Sequence, residues 1–98
     1  MTAPIVQIRY DELDQAATRF AQAAERGAEL ERRLQSAFRP LQEGGWIGRG
    51  AAAFESTMQG EIFPACTRMI AALETARDVT LQIRSLLAVA EEEAAGVF

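Results

Sequence analysis

The feature that most constrains this fold is a repeat of apolar and small residues in the first half of the chain. Its members recur at alternating steps of three and four residues, without a break, from Leu13 to Leu41. Such a repeat places them on one side of an α-helix and predicts a long, nearly straight contact with another helix. The members of this first heptad series are Leu13, Ala16, Phe20, Ala23, Gly27, Leu30, Leu34, Ala37 and Leu41.

The second half of the chain carries a matching repeat, which Phe54 and Met58 extend backward. The members of this second heptad series are Ile62, Ala65, Met69, Ala72, Ala76, Val79, Ile83, Leu86 and Ala90. Pro64 lies inside it, cannot donate to the carbonyl of residue 60 and would clash with that carbonyl. Because residue 60 is glycine, we predict one continuous helix kinked at residues 60–64; a break into two helices is the alternative.

Between the two repeats, residues 44–50 contain four glycines and the only tryptophan, Trp46. Glycine reaches backbone angles that other residues avoid, so this stretch can end one helix and begin the next. We predict helix 1 at about residues 11–42, a turn at 43–50 and helix 2 at about 51–93. Trp46 can plug the closed end of the hairpin, be recognised by a partner, or do both.

The predicted fold is all-α, a single domain over residues 1–98 in which two long antiparallel helices form a helix-turn-helix hairpin. Such a hairpin encloses no centre, and its apolar stripes are wider than one neighbouring helix can cover, so it should be marginal alone. We therefore predict dimerisation into a four-helix bundle. The predicted dimer interface contains Leu13, Phe20, Leu30, Leu34, Phe54, Ile62, Met69, Leu73, Val79 and Ile83.

Composition argues against several functional classes. The chain has 98 residues, with no histidine and one cysteine. Because its net charge is −4, it has no overall attraction for nucleic acid. No nucleophile stands beside a base, and neither a phosphate-binding loop nor metal-ligand spacing is present, so we predict no enzyme, cofactor or metal site. The N-terminus lacks the features of a secretory signal peptide. We expect a protein made in the cytoplasm that needs another route if it leaves the cell.

The C-terminal end can be read in two ways. Residues 91–93 are all glutamate, and they stand at a helix C-terminus, where the dipole disfavours negative charge. Gly96 is predicted to end the helix, which leaves a flexible tail at residues 94–98 with Val97 and Phe98 uncovered. This tail is either a docking segment that orders on a partner or a solvated end.

With Trp46-Ile47-Gly48 at the midpoint of two heptad repeats, the chain resembles the WXG-motif superfamily, the small ESAT-like substrates of type VII secretion. Phe54 resembles an aromatic residue that such proteins often carry early in helix 2. The resemblance makes Trp46 and Gly48 the turn motif. It implies a secreted substrate that is exported folded, as a dimer with itself or a paralogue. A membrane-bound secretion ATPase would recognise its C-terminal signal.

The resemblance also implies an export signal, often Tyr-x-x-x-Asp/Glu, in the tail. No tyrosine follows residue 10, so the narrow form is absent. A broader form, with a bulky apolar residue in place of tyrosine, is visible as Leu87, Glu91, Ala94 and Phe98, whose spacings place them on one helical face. The departure at Leu87 leaves open whether this chain or its partner supplies the dominant signal.

Two other functions fit parts of the sequence. A membrane-active hairpin could insert its apolar stripe at a lipid interface, but the polar faces are not rich in basic residues and the net charge would repel anionic lipid, so membrane contact is not favoured. A general coiled-coil adaptor explains the heptads but needs neither the tryptophan turn nor the apolar terminus. The Ala-rich repeats contain no buried Asn or charge that would enforce one pairing, so the partner stays open.

Overall fold

The computed structural model describes residues 9–44 and 48–97. Helix α1 spans Tyr10–Glu43, helix α2 spans Arg49–Thr57, a π-helical turn spans Met58–Ile62, and helix α3 spans Phe63–Val97. The two long helices form an extended hairpin whose principal extents are 74 × 19 × 17 Å. The prediction of an all-α hairpin is confirmed, and the described ranges contain no strand.

Helix α1 begins without a side-chain cap. The backbone N–H groups of Glu12 and Leu13 instead donate to the carbonyl of Arg9, each at 3.1 Å. Asp11 and Glu12 place negative charge in the first turn, where exposed backbone N–H groups favour it. The helix passes through Pro40 and ends at Glu43.

The chain stays helical across Pro64, and the distortion expected at residues 60–64 takes the form of the π-turn. The backbone N–H of Phe63 donates to the carbonyl of Met58, five residues earlier, and both residues have α-helical backbone angles. A π-turn holds one residue more than the α-helical turn it replaces. This extra residue lets the helix continue past a proline that the regular hydrogen-bond pattern cannot accommodate.

The π-turn changes which side of α3 meets α1. Because one residue is added after Met58, the inward side continues at Phe63 instead of Ile62. We call the inward residues the inner row of α3; they are Phe63, Cys66, Ile70, Leu73, Arg77, Thr80, Arg84 and Leu87, all buried or half-buried. Most of the second heptad series therefore lies outside the inner row. Ile62, Met69, Val79, Ile83 and Leu86 are 38–62% exposed.

On α1 the first heptad series is only half right. Its alternate members Leu13, Phe20, Gly27 and Leu34 are half-buried or buried, as expected. The other half of the contact is made by residues outside the series, and Ala17, Ala24 and Phe38 are the most buried of these. Of the remaining members, Ala16 and Ala23 are half-buried, whereas Ala37 and Leu41 are exposed and Leu30 is 51% exposed.

Contacts near the turn, in the middle and at the open end help to hold the helices together. Near the turn, the Phe38 ring lies 5.7 Å from that of Phe54 and 6.0 Å from that of Phe63, between ring centroids. In the middle, a Cβ atom on Gly27 would lie 3.1 Å from the Cε of Met69 and 3.2 Å from the Cγ1 of Ile70, so these side chains pack closely against the glycine. The third contact is polar and lies at the open end of the hairpin.

At that open end, Arg84 of α3 joins two residues of α1. Its Nε lies 2.7 Å from a carboxylate oxygen of Asp14, and its guanidinium carbon lies 5.1 Å from the centroid of the Tyr10 ring. Burial raises the pKa of Tyr10, and the negative charge of nearby Glu91 raises it further, while Arg84 lowers it. The last turns of α3 therefore lie beside the start of α1.

Candidate partner-binding face

The outward apolar residues of α1 and α3 lie on the same side of the hairpin. Most of them stand one position before an inward residue: Leu30 precedes Glu31, and Ile83 precedes Arg84. Both sets are therefore turned from the hairpin contact by about 100° in the same sense. Because the helices are antiparallel, this rotation brings them to one side. We call this surface the apolar face, and it contains Leu30, Leu41, Phe54, Ile62, Met69, Val79, Ile83 and Leu86.

The turn-proximal end of this face forms a shallow groove of about 110 Å³. Leu34, Ala37 and Leu41 of α1 line it together with Phe54 and Met58 from the other arm of the hairpin. The opposite side of the hairpin carries another groove. There Leu81, one position after an inward residue, lies beside Ala17 and Ala21 as well as the polar Asp14, Thr18 and Arg77.

The C-terminal half of α3 places polar residues inside the hairpin and apolar residues outside. Arg77, Thr80 and Arg84 occupy the inner row, while Val79 and Ile83 are 45% and 44% exposed. A contiguous exposed apolar surface of this kind marks an interaction site in soluble proteins. The C-terminal half of α3 therefore exposes more of its large apolar side chains than it packs against α1.

The predicted interface residues divide between the two surfaces. Leu30, Phe54, Ile62, Met69, Val79 and Ile83 lie on the apolar face. Leu13, Phe20, Leu34 and Leu73 are half-buried along the hairpin contact. Leu86, at 62% exposure, was missing from the predicted interface, although its place in the second heptad series was a signal that could have found it.

The turn motif is described only in part, because Trp46 lies outside the described residues. Gly48 has φ +118° and ψ 178°, a conformation that side-chain-bearing residues rarely adopt. Its carbonyl accepts the backbone N–H of Ala52 at 3.0 Å and so begins α2. A Cβ on Gly48 would meet no atom within 4 Å, so the requirement for glycine is one of backbone angle and not of space.

The predicted export signal lies along the last turns of α3, which continues to Val97, past the end expected at about Glu93. Leu87 is half-buried in the inner row, whereas Glu91 and Ala94 are exposed. Phe98 lies outside the described residues. The helix passes through Gly96. Glycine destabilises a helix by only about 1 kcal/mol relative to alanine, and the alanines that precede Gly96 favour the helix.

No helix in residues 9–44 and 48–97 is long and apolar enough to cross a membrane. No group of three or more potential metal-ligating side chains occurs among these residues.

These features define a class of protein: a small helical hairpin with a glycine-initiated second arm and an exposed apolar face. The family model of WXG100, proteins of 100 residues with WXG, matches residues 5–92. No curated protein and no solved structure matched the chain. The chain belongs to the WXG100 family, within the ESAT-like WXG-motif superfamily. Members of this family are small helical proteins that are typically linked to type VII secretion and typically form dimers with WXG partners.

Proposed function

We propose that this protein is a small secreted substrate of a type VII secretion system. It is made in the cytoplasm and exported, without a cleavable signal peptide, as a folded dimer with itself or with a paralogous WXG-motif protein. The secretion ATPase recognises the dimer through the C-terminal end of α3. The single observation that carries the proposal is the apolar face of a chain that belongs to this family.

The apolar face supports the dimer on energetic grounds. Fully burying one large aliphatic or aromatic side chain contributes about 1.5–3 kcal/mol, so burying the exposed half of one contributes about 1 kcal/mol. The eight side chains of the face together supply on the order of 5 kcal/mol or more per chain before the entropy of association is subtracted. Two such faces pressed together form the core of a four-helix bundle.

The dimer can be tested with two substitutions of similar exposure on opposite sides of α3. Ile83 is 44% exposed on the apolar face, and Leu81 is 42% exposed on the other side. A charge at Ile83 would have to be buried in the bundle, so Ile83→Asp should abolish both dimerisation and export. Leu81→Asp should preserve both. Native mass spectrometry of the tagged protein from producing cells and immunoblotting of culture medium measure the two outcomes; equal effects would contradict the proposal.

The C-terminal end of α3 supports recognition because its exposed residues are already helical. A partner that binds Glu91 and Ala94 has no helix-ordering cost to meet on this chain. Deleting residues 94–98 should abolish export and leave the dimer intact. Glu91→Ala should also reduce export, whereas Glu92→Ala, one position away on a different side of the helix, should not. Normal secretion of the truncated protein would refute this role.

A further inference from the structure

A row of arginines borders the apolar face along α1. Arg19, Arg26 and Arg33 stand seven residues apart and are all exposed. They alternate, at steps of three and four, with the outward residues of α1, which are Ala16, Ala23, Leu30 and Ala37. We call these three residues the arginine row. Helical geometry places it on the edge of the apolar face that lies away from α3, next to the position of a partner helix.

The hairpin itself leaves this row largely unneutralised. Arg19 and Arg26 form no ion pair with any residue in the ranges 9–44 and 48–97. Arg33 reaches Glu29 at 3.4 Å, but Arg32 binds the same carboxylate more closely, at 2.7 Å. Hydrogen bonding from Arg32 holds the pKa of Glu29 below its ordinary value. The positive charge along this edge is therefore available to a partner.

A second copy of the chain offers no matching acidic row. If α1 packs beside α1 of the copy, arginine row faces arginine row. If α1 packs beside α3 of the copy, it meets the residues that border the apolar face on α3. These are Glu61, Arg68, Thr75, Gln82 and Val89, a single acid followed by a base and three uncharged residues. Neither arrangement places acids opposite Arg19 and Arg26 together.

We propose that the natural partner is a different chain: a helical hairpin that carries Asp or Glu at heptad spacing beside its own apolar face. This inference rests on the proposed function, because it assigns the partner of the same face. Charges that flank an apolar helix contact set partner choice, since opposite signs stabilise one pairing and like signs penalise the other. The apolar face supplies the affinity, and the arginine row selects an acidic partner over a copy of this chain.

The test uses copies of this chain as acidic probes. R19E/R26E places acids on α1, and T75E/Q82E places them on the corresponding edge of α3. Sedimentation equilibrium measures the association of the wild-type chain with itself and with each probe. The wild type should bind one of the two probes about tenfold or more tightly than it binds itself, because several ion pairs replace repulsion along that edge. The preference should shrink in 0.5 M salt, where charges are screened.

The matched control is R32E/R39E, which changes the net charge by the same amount as R19E/R26E. Arg32 and Arg39 each stand one position after an inward residue, so they lie on the side opposite the apolar face. This copy should bind the wild type no better than the wild type binds itself. If R32E/R39E bound the wild type as tightly as the R19E/R26E probe does, the gain would not depend on the arginine row, and the inference would be overturned.

The remaining outcomes separate this inference from the proposed function. If the wild type binds itself as tightly as it binds either probe, the partner is a copy; the inference then fails while the dimer stands. If no combination of copies associates, and the wild type instead binds anionic phosphatidylglycerol vesicles in a way that R19E/R26E abolishes, the face is a lipid-binding surface. If no combination associates and vesicles are not bound, the face is not an interface. Both proposals fail in either of these last two cases.

Discussion

Inserting or deleting one residue at Thr75 of α3 tests which side of this helix packs against α1. Thr75 is exposed, so the change itself disturbs no buried contact. An alanine inserted after it turns every later residue by about 100° and moves it by about 1.5 Å along the axis. Each later inner-row position is then filled by the residue that precedes it in the sequence. The new inward residues are Ala76, Val79, Ile83 and Leu86.

The insertion should therefore leave the single hairpin about as stable as before, or more stable. Val79 and Ile83, now 45% and 44% exposed, would each gain about 1 kcal/mol by moving inward. Against this gain stands the loss of the partly exposed Arg84–Asp14 ion pair and of the Arg84–Tyr10 contact, together worth about 1–2 kcal/mol. The same rotation removes these apolar residues from the apolar face, so partner binding should be lost.

Deleting Thr75 should have the opposite effect on stability. It brings Asp78, Leu81, Ser85 and Ala88 to the inner positions that Arg77, Thr80, Arg84 and Leu87 now occupy, as the sequence order dictates. The hairpin then loses the same polar contacts and the burial of Leu87, and it gains a carboxylate inside. The burial of Leu81, now 42% exposed, offsets about 1 kcal/mol of this loss. We expect the free energy of unfolding to fall by about 2 kcal/mol or more.

Urea unfolding followed by circular dichroism at one low protein concentration compares the three chains, with stability read from midpoint and slope. Partner binding is measured on the same samples by sedimentation. If the inserted and deleted chains were equally destabilised, the assignment of the inner row would be wrong. If the inserted chain kept its partner, the assignment of the apolar face would be wrong.

Three further expectations follow from the same contacts. Phe38→Ala should lower the free energy of unfolding by about 3–5 kcal/mol, because its ring is 4% exposed, whereas Leu41→Ala, at 40% exposure, should cost about 1 kcal/mol; urea unfolding measures both. A variant that lacks Gly60 and carries Pro64→Ala should keep or raise the urea midpoint. The deletion removes the extra residue of the π-turn, and the two changes together remove the two residues of this region that favour helix least. Stability should be constant with respect to Tyr10 below about pH 10 and should fall as pH rises through its raised pKa, because the folded state holds the phenol proton more tightly; Tyr10→Phe should remove this fall in thermal unfolding at alkaline pH.

The sequence was sufficient to predict the hairpin but not its register. Alternating steps of three and four residues predict a helix and its apolar side. On α1, however, three neighbouring lines of residues run along that side, and the repeat fits the first two lines as well as the last two. Leu13 and Phe20 belong to both possible contacts, and only the packing decides whether Ala17 or Ala16 joins them. On α3 the π-turn adds a residue that no periodicity reveals. Counting on from Met58 by α-helical steps therefore leads to Ile62 instead of Phe63.

The polar half of the inner row could not have been predicted from α3 alone. Arg84 is an ordinary solvated residue in the sequence, and its inward position depends on Asp14 and Tyr10, more than sixty residues earlier in the chain. The exposed apolar residues of α3 were easier to predict from the sequence, because the second heptad series contains most of the apolar face. Four of its members, Ile62, Met69, Val79 and Ile83, were predicted at the dimer interface, and all four are exposed on the hairpin.

The distribution of polarity along α3 gives a physical reason for the proposed dimer. If the hairpin used its most apolar row internally, Val79, Ile83 and Leu86 would be buried and the outer surface would be polar, which would favour a soluble single chain. The π-turn instead directs that row outward and gives the hairpin Arg77, Thr80 and Arg84, whose contacts are worth less than aliphatic burial. Burial of the outward row would therefore stabilise a complex more than it stabilises the single hairpin, and in the proposed dimer a second apolar helix pair supplies that burial. In the same proposal, the arginine row at the edge of this surface selects the helix pair that binds.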